Sequence, residues 1–318
     1  MNDVDPAVVA ERRFAASLPL PYLRYRWLRW RQKRARAKTD PARIAPRTDG
    51  LLMEVDEADI IDFNIRHFGA WEPALGALIA AHLKPGDRAV DIGANIGAHT
   101  LTMAKAVGAG GLVTAIEPGK TTAARLRRNA EINGLLQIRV LEVAASDAAG
   151  RASLFAGPDG TRGRATMDAE VAGSGASAEI ETIIAADACT PEDWKRTRLM
   201  KIDVERAEDK VLRGLAPVLS LLPEDAVLIV ETEPQLLARR GAPIESLVAP
   251  LLQRGARFHA LEQHADLKSM MKPLRFSLKA VEPKDVQSTS HTDFVIARPD
   301  VVAGLAANPL PLAGKGSY

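Results

Sequence analysis

The chain has 318 residues, 47% of them apolar, with 42 basic and 40 acidic side chains. That is enough apolar material for one large α/β domain with an arm or tail, and it leaves room for two domains. A net charge of +2 excludes a polyanion binder that works through overall charge. The lone cysteine, Cys189, cannot form an intrachain disulfide, and no apolar run reaches the ~18 residues of a membrane span. Arginines interrupt the N-terminal apolar residues, so no signal-peptide core is read and a reducing, cytoplasmic setting is expected.

Residues 1–17 read as a short helix or a frayed terminus. Residues 18–38 interleave Tyr22, Tyr25, Trp27 and Trp30 with eight basic side chains, and no acid occurs between Arg12 and Thr39. On a helix Leu23, Trp27, Trp30 and Arg34 share a face. Three uses fit: packing on the domain with the basic side in water, lying on an anionic membrane surface as a peripheral protein, or gripping a nucleic-acid backbone. Residues 39–49 read as a linker that closes an arm spanning 1–49. Residues 50–68 mix short apolar runs with acids and read as one or two strands. Pro73 then opens a helix whose apolar face is Leu75, Leu78, Ile79 and Leu83.

The chain is organised around residues 88–118. Ala89 to Ile92 is an apolar run that ends in a loop holding Gly93 and Gly97. A helical pattern follows, with Ile96, Leu101, Met103, Ala104 and Val107, and Gly108, Gly110 and Gly111 stop it. Leu112 to Ile116 is a second run and ends in Glu117. This strand, glycine loop, helix and strand form half of a nucleotide-type site. Glycine lets backbone approach a ligand, helix amides favour an anionic group, and the strand-end acid can accept ribose hydroxyls. S-adenosylmethionine has that layout, a carboxylate at one end and a ribose further on. A dinucleotide fits less well, because only Gly93-x-x-x-Gly97 is present where Gly-x-Gly-x-x-Gly is required. Gly119-Lys120-Thr121 lacks the first glycine of a P-loop, since Thr occupies 114. The competing reading is a structural βαβ unit without a ligand.

Beyond it, residues 119–132 read as a helix capped by Asn133-Gly134, and Gln137 to Val143 as a third strand. Ser146 and Asp147 read as a turn. Arg151 to Phe155 and Glu179 to Ile184 are strands around a Gly/Ser/Thr/Ala-rich stretch with Arg162, Arg164 and Asp168. Leu199 to Val204 is a fourth parallel strand. Its end delivers Asp203 and Glu205, which are expected beside Gly93 and Glu117 because parallel sheets bind ligands at their carboxyl ends. Glu208 and Asp209 start the next helix, where the dipole favours acids. Ala226 to Val230 and Ala256 to Leu261 are further strands. Residues 262–289 are polar, contain Met270-Met271, and are expected to border an acceptor pocket. His291 precedes a last strand, Asp293 to Arg298, and the tail 299–318 reads as partly disordered.

Val90-Asp-Ile-Gly-Ala-Asn-Ile-Gly97, Glu117-Pro118 and Lys201-Ile-Asp-Val-Glu-Arg-Ala-Glu208 resemble the FkbM family of class I S-adenosylmethionine-dependent methyltransferases. The first motif indicates only the class; the Lys-Ile-Asp-Val-Glu segment points to the family. The resemblance covers residues 50–298 and implies a Rossmann-like sheet of seven strands, the last antiparallel, with helices on both faces. It implies cofactor contacts at Asp91, Gly93, Ala94, Asn95, Gly97, Thr100 and Glu117. It adds Glu72 before the first domain helix and Ser146 or Asp147 at the adenine. It also places the hairpin of 150–187 near the acceptor. The family has Gly where this chain has Arg206.

A hydroxyl acceptor must lose its proton to a group within hydrogen-bond reach. Asp203 is the first candidate, Glu205 the second and His291 the third. No compact His/Cys/Asp spacing suggests a metal. The resemblance implies methyl transfer to an oxygen of a small molecule or glycan. The competing functions are a nucleic-acid methyltransferase that uses the basic arm, a non-catalytic protein on the same fold, and an NAD-dependent oxidoreductase.

Overall fold

A computed structural model describes residues 4–37, 42–56, 59–156, 165–168, 177–262, 277–289 and 291–307. Arg162, Arg164, Met270-Met271, part of the expected linker and the tail beyond Ala307 lie outside them.

The N-terminal layer holds helices α1 (Pro6–Ser17) and α2 (Pro21–Ala37), strands β1 (Arg43–Pro46) and β2 (Leu52–Val55), and helix α3 (Ile60–Phe68). Helix α4 (Pro73–His82) leads into β3 (Arg88–Ile92), α5 (Ala98–Val107), β4 (Leu112–Ile116), α6 (Lys120–Ile132) and β5 (Ile138–Leu141). Strands β6 (Ala144–Ser146), β7 (Gly150–Phe155) and β8 (Ser177–Ile184) form a separate small sheet. Next come α7 (Pro191–Trp194), β9 (Thr197–Ile202), α8 (Glu208–Leu219) and β10 (Val227–Thr232). Short helices α9 (Pro234–Arg239), α10 (Ile244–Leu247) and α11 (Ala249–Gln253) precede β11 (Arg257–Leu261) and β12 (Leu278–Val281). The last elements are β13 (Thr292–Ala297) and α12 (Pro299–Ala307).

The central sheet runs β12-β11-β13-β10-β9-β3-β4-β5. The seven expected strands are present and β13 is antiparallel to both neighbours. An eighth, β12, extends the edge from a stretch read as irregular. The strand runs are apolar throughout because both faces are covered. Val90, Ile92, Met200, Ile202, Leu228 and Val230 pack towards α8, with its Val211, Leu212 and Leu215. Their odd-numbered neighbours, Ala89, Leu199, Val227 and Ile229, pack towards α4 and α5 through Leu75, Leu78 and Met103.

Residues 60–68 form a helix, not the expected strand. Asp59 caps it by accepting the Ile61 amide, and Gly69 ends it at φ +77°. Its polar residues are buried rather than in water, with the charges in pairs: Asp62 with Arg125 at 2.8 Å and Arg66 with Glu11 at 2.9 Å. Part of the expected linker is also ordered, as β1 pairs with β2. The terminus before it is a helix whose buried Arg12 reaches the end of α3. Arg12 donates to the carbonyls of Arg66 (2.6 Å), Ile65 (2.6 Å) and Pro46 (2.7 Å). Replacing Arg12 with Met should therefore cost about 3 kcal/mol in urea unfolding, since buried carbonyls lose a charged donor. A cost under about 1 kcal/mol would mean that water replaces the guanidinium.

Helix α2 docks through Leu28, which packs on Phe63 with Tyr25, Trp27 and Phe68 around it. Trp27 meets the rings of Phe14 and His67 edge-on. Leu23 and Trp30, expected on the same face as Trp27, point to solvent. Among the described residues no helix is long and apolar enough to cross a membrane.

Candidate active site

A cleft of about 750 Å³ opens at the carboxyl edge of β3, β4, β9 and β10. That size suits a small molecule with its cofactor. Strand alternation and register decide which side chains reach it. Asp91 lies beside Lys201 in the β3–β9 pairing, and Lys201 beside Ile229 in β9–β10. Counting by twos puts Asp91, Lys201, Asp203 and Glu231 on the α4–α5 side at that edge. His291 and Asp293 join them because β13 runs the other way and begins there.

The first wall is built around Asp91. Its Oδ2 accepts the Thr100 hydroxyl at 2.6 Å, while its buried Oδ1 has no partner and the residue lines the cleft. A buried anionic oxygen without a donor is costly unless a ligand supplies one. Glu117 accepts the Asn95 amide at 2.9 Å through one oxygen and the Gly119 amide at 2.8 Å through the other. Its carboxylate thus ties the glycine loop to the β4 loop while facing the cleft. Burial pushes its pKa up to about 7, against those two amides.

Gly93 serves neighbouring backbone as much as any ligand. At φ +82° a Cβ there would lie 1.7 Å from the Asp203 carbonyl oxygen. The glycine therefore lets β3 and β9 release their loops side by side.

The second wall holds Lys201, whose Nζ donates to Asp203 Oδ2 at 2.8 Å. Burial opposes its charge, but Asp203, Asp91 and Glu72 outweigh that and raise its pKa. Glu72 and His99 meet at 2.9 Å, both buried. Burial and then Glu231 push Glu72 up to about 8, and burial and then Lys201 push His99 down to about 3. The imidazole is therefore neutral at physiological pH. At the mouth, His291 pairs with Glu231 at 2.6 Å, which raises its pKa to about 9. It keeps its proton at neutral pH and is a poor proton acceptor there.

Asp91, Gly93, Ala94, Asn95, Glu117, Glu72, Asp203, Glu205 and His291 all line the cleft. Gly97, Thr100, Ser146 and Asp147 are not among its lining residues. Thr100 acts one step back, on Asp91. Asp147 accepts Arg213 of α8 at 3.0 Å, and Ser146 donates to Asp147. Ala144 and Ala145, just before them, line the cleft instead. Lys201, His99 and Glu231 are lining residues that sequence reasoning missed. A lysine inside an apolar strand, two positions before an acid, was the available signal. From the hairpin segment, Leu154, Ala165 and Met167 also line the cleft. Thr166 secures them by donating to the Glu205 carbonyl at 2.5 Å.

Backbone strain gathers at the same place. The non-glycine residues at positive φ among those described are Glu72, Asn95, Glu205 and Arg206. Three line the cleft and the fourth adjoins it. Arg206, at φ +75°, occupies the position where the family has Gly, and its guanidinium pairs with Glu233 at 2.8 Å. Arg206→Gly should be more stable than Arg206→Ala by about 1 kcal/mol, because only glycine relieves the left-handed conformation. Urea unfolding checks the order, and equal stabilities would remove strain from the account.

Among the described residues no group of three His, Cys, Asp or Glu side chains could hold a metal. No curated protein matches the chain. Solved structures resembling it include an rRNA methylase from Streptococcus thermophilus, 12% identical, covering 70% of this chain and 92% of that one, with TM-score 0.38. A precorrin-6y C5,15-methyltransferase from Geobacter metallireducens is 10% identical over 70% and 86%, with TM-score 0.35. A ribosomal protein L11 methylase from Lactobacillus delbrueckii subsp. bulgaricus is 13% identical over 71% and 76%, with TM-score 0.36. The Methyltransferase FkbM domain profile matches residues 91–272, more than half of the chain, and the chain belongs to that family.

Proposed function

We propose that the protein transfers the methyl group of S-adenosylmethionine to a hydroxyl oxygen of a neutral, hydroxyl-rich small molecule or glycan. Asp91, with its unpartnered oxygen, would accept from the cofactor's ammonium group, and Glu117 from its ribose hydroxyls. Ala144, Ala145 and Pro118 offer an apolar side to the adenine. The bound cofactor supplies an already activated methyl, so the chain has to orient the acceptor, exclude water and take up one proton.

The observation that carries the acceptor class is the charge of the lining. Asp59, Glu205, Glu231, Glu262 and Asp293 are among the described residues that line the cleft, and Lys201 is the one lysine or arginine among those. Carboxylates accept hydrogen bonds from sugar-like hydroxyls and repel phosphates within about 10 Å at ordinary salt. That disfavours a nucleic acid entering the cleft, whatever the basic arm does. Asp203 is the proton acceptor in this reading, held by Lys201. Glu205 is its neighbour on the acceptor side, and the charged His291 orients Glu231.

The test is transfer of labelled methyl from S-adenosylmethionine to fractionated small-molecule and glycan extracts, with Asp203→Ala as control. Label appearing only in RNA would overturn the acceptor class. Failure of the wild-type protein to bind S-adenosylmethionine in calorimetry would overturn the enzyme reading and favour a binding protein.

A further inference from the structure

We propose that the outward face of the N-terminal helix pair docks the protein on an anionic lipid surface. The inference stands apart from the methyl-transfer reading, because none of the residues involved lines the cleft. Among the described residues six large hydrophobic side chains are exposed, and five lie in this pair or the turn that joins it: Phe14, Leu20, Tyr22, Leu23 and Trp30. They are between 39% and 62% exposed, too many in one place for scattered surface apolar residues.

The inner side of α2 is already used by Leu28 on Phe63, so turning the helix cannot bury them. At 100° per residue, Leu23, Arg26, Trp30 and Lys33 lie opposite Leu28, with Arg29 and Arg34 beside them. Residues 12–38 hold ten of the chain's 42 basic side chains and none of its 40 acids, which leaves the rest of the chain eight charges negative. An anionic surface would attract the helix pair and repel the body, fixing which side faces the lipid.

The same basic charge suits a nucleic acid, but the rings do not. Arg26 sits 5.6 Å over the ring of Tyr22, and Arg34 5.5 Å over that of Trp30. Guanidinium groups cover faces on which bases would stack. Exposed leucines at positions 20 and 23 give a phosphodiester nothing to bind, yet they insert readily beside lipid headgroups. Helix α2, about 25 Å long at 1.5 Å per residue, can lie flat there.

The full-length protein is sedimented with phosphatidylcholine vesicles, with and without phosphatidylserine, and is titrated separately with single-stranded polyuridylate. Binding is expected only where phosphatidylserine is present, to fall as salt rises, and to shift Trp30 emission to the blue. The shift should be lost in Trp30→Phe. Each charge removed should lower partitioning roughly fivefold, so Arg26→Gln, Arg29→Gln, Lys33→Gln and Arg34→Gln together should lower it more than a hundredfold. Leu20→Ser with Leu23→Ser and Trp30→Ser should lower it at least about tenfold at unchanged charge. Circular dichroism and cofactor affinity of both variants report whether the fold persists. No partitioning onto anionic vesicles overturns the proposal. So does polyuridylate binding at least as tight that survives the apolar substitutions, which would make the face a nucleic-acid surface.

Discussion

Glu117→Ala is expected to raise the dissociation constant for S-adenosylhomocysteine about 100-fold, the loss of two hydrogen bonds to a charged acceptor. The side chain also ties the Asn95 and Gly119 amides, so part of the effect would arise from a loosened glycine loop. The pH dependence of the wild-type protein separates the two contributions. With its pKa raised to about 7, Glu117 is largely protonated at pH 6 without ligand and can offer fewer lone pairs to a ribose. Affinity should therefore rise between pH 6 and pH 8, by up to about tenfold per unit on the acid side, and the alanine variant should lose that slope. Titration calorimetry at three pH values measures both. Equal affinity in the variant and a flat wild-type profile would remove Glu117 from the cofactor site.

The same shift has a consequence for folding. Glu117, Glu72 and Glu208 are buried carboxyls raised to about 7, 8 and 8 from a usual 4.5. Each stabilises the fold fully below the unfolded value. Each loses that contribution as pH rises through its folded value, so the ligand-free protein weakens between about pH 4.5 and pH 8. A sulfonium ligand brings positive charge to the cleft that Glu117 and Glu72 line, and so offsets part of the loss.

How much of this was legible in the sequence follows from burial. The central strands could be read because a sheet covered on both faces leaves apolar runs, and each run carried an acid at or near its end: Asp91 within β3, Glu117 after β4, Asp203 after β9. Strand β12 could not, since its residues are half-buried or exposed at an edge. Helix α3 looked like strand because Ile61, Phe63 and Ile65 alternate with Asp62, Asn64 and Arg66, and only the fold supplies Arg125 and Glu11 to pair the buried charges. In the site, single-residue alternation would have found Lys201 from Asp203. Nothing local identifies His99, whose role depends on Glu72 arriving from another helix in a left-handed turn. Ser146 and Asp147, expected at the adenine, are turn formers in sequence, and only the fold reveals that Asp147 pairs with Arg213.

Asp203→Asn should lower methyl transfer by between about a hundredfold and ten-thousandfold, the range for a lost proton acceptor, while cofactor affinity changes little. The amide keeps the shape of the side chain and cannot take the proton. If Asp203 only held the loop beside Gly93, through its carbonyl oxygen, asparagine would preserve that and the rate would survive. Lys201 separates positioning from packing. Its ammonium lies 2.8 Å from Asp203 and holds the carboxylate in place. Lys201→Met removes that donor and should slow transfer while cofactor affinity changes little, and Lys201→Arg, which can still donate to Asp203, should restore part of the rate. A merely structural lysine would lower stability and cofactor affinity along with the rate. The decisive comparison is thus the rate and cofactor affinity of Lys201→Met and Lys201→Arg beside Asp203→Asn, and a wild-type rate in Asp203→Asn would defeat the assignment of Asp203 as the base.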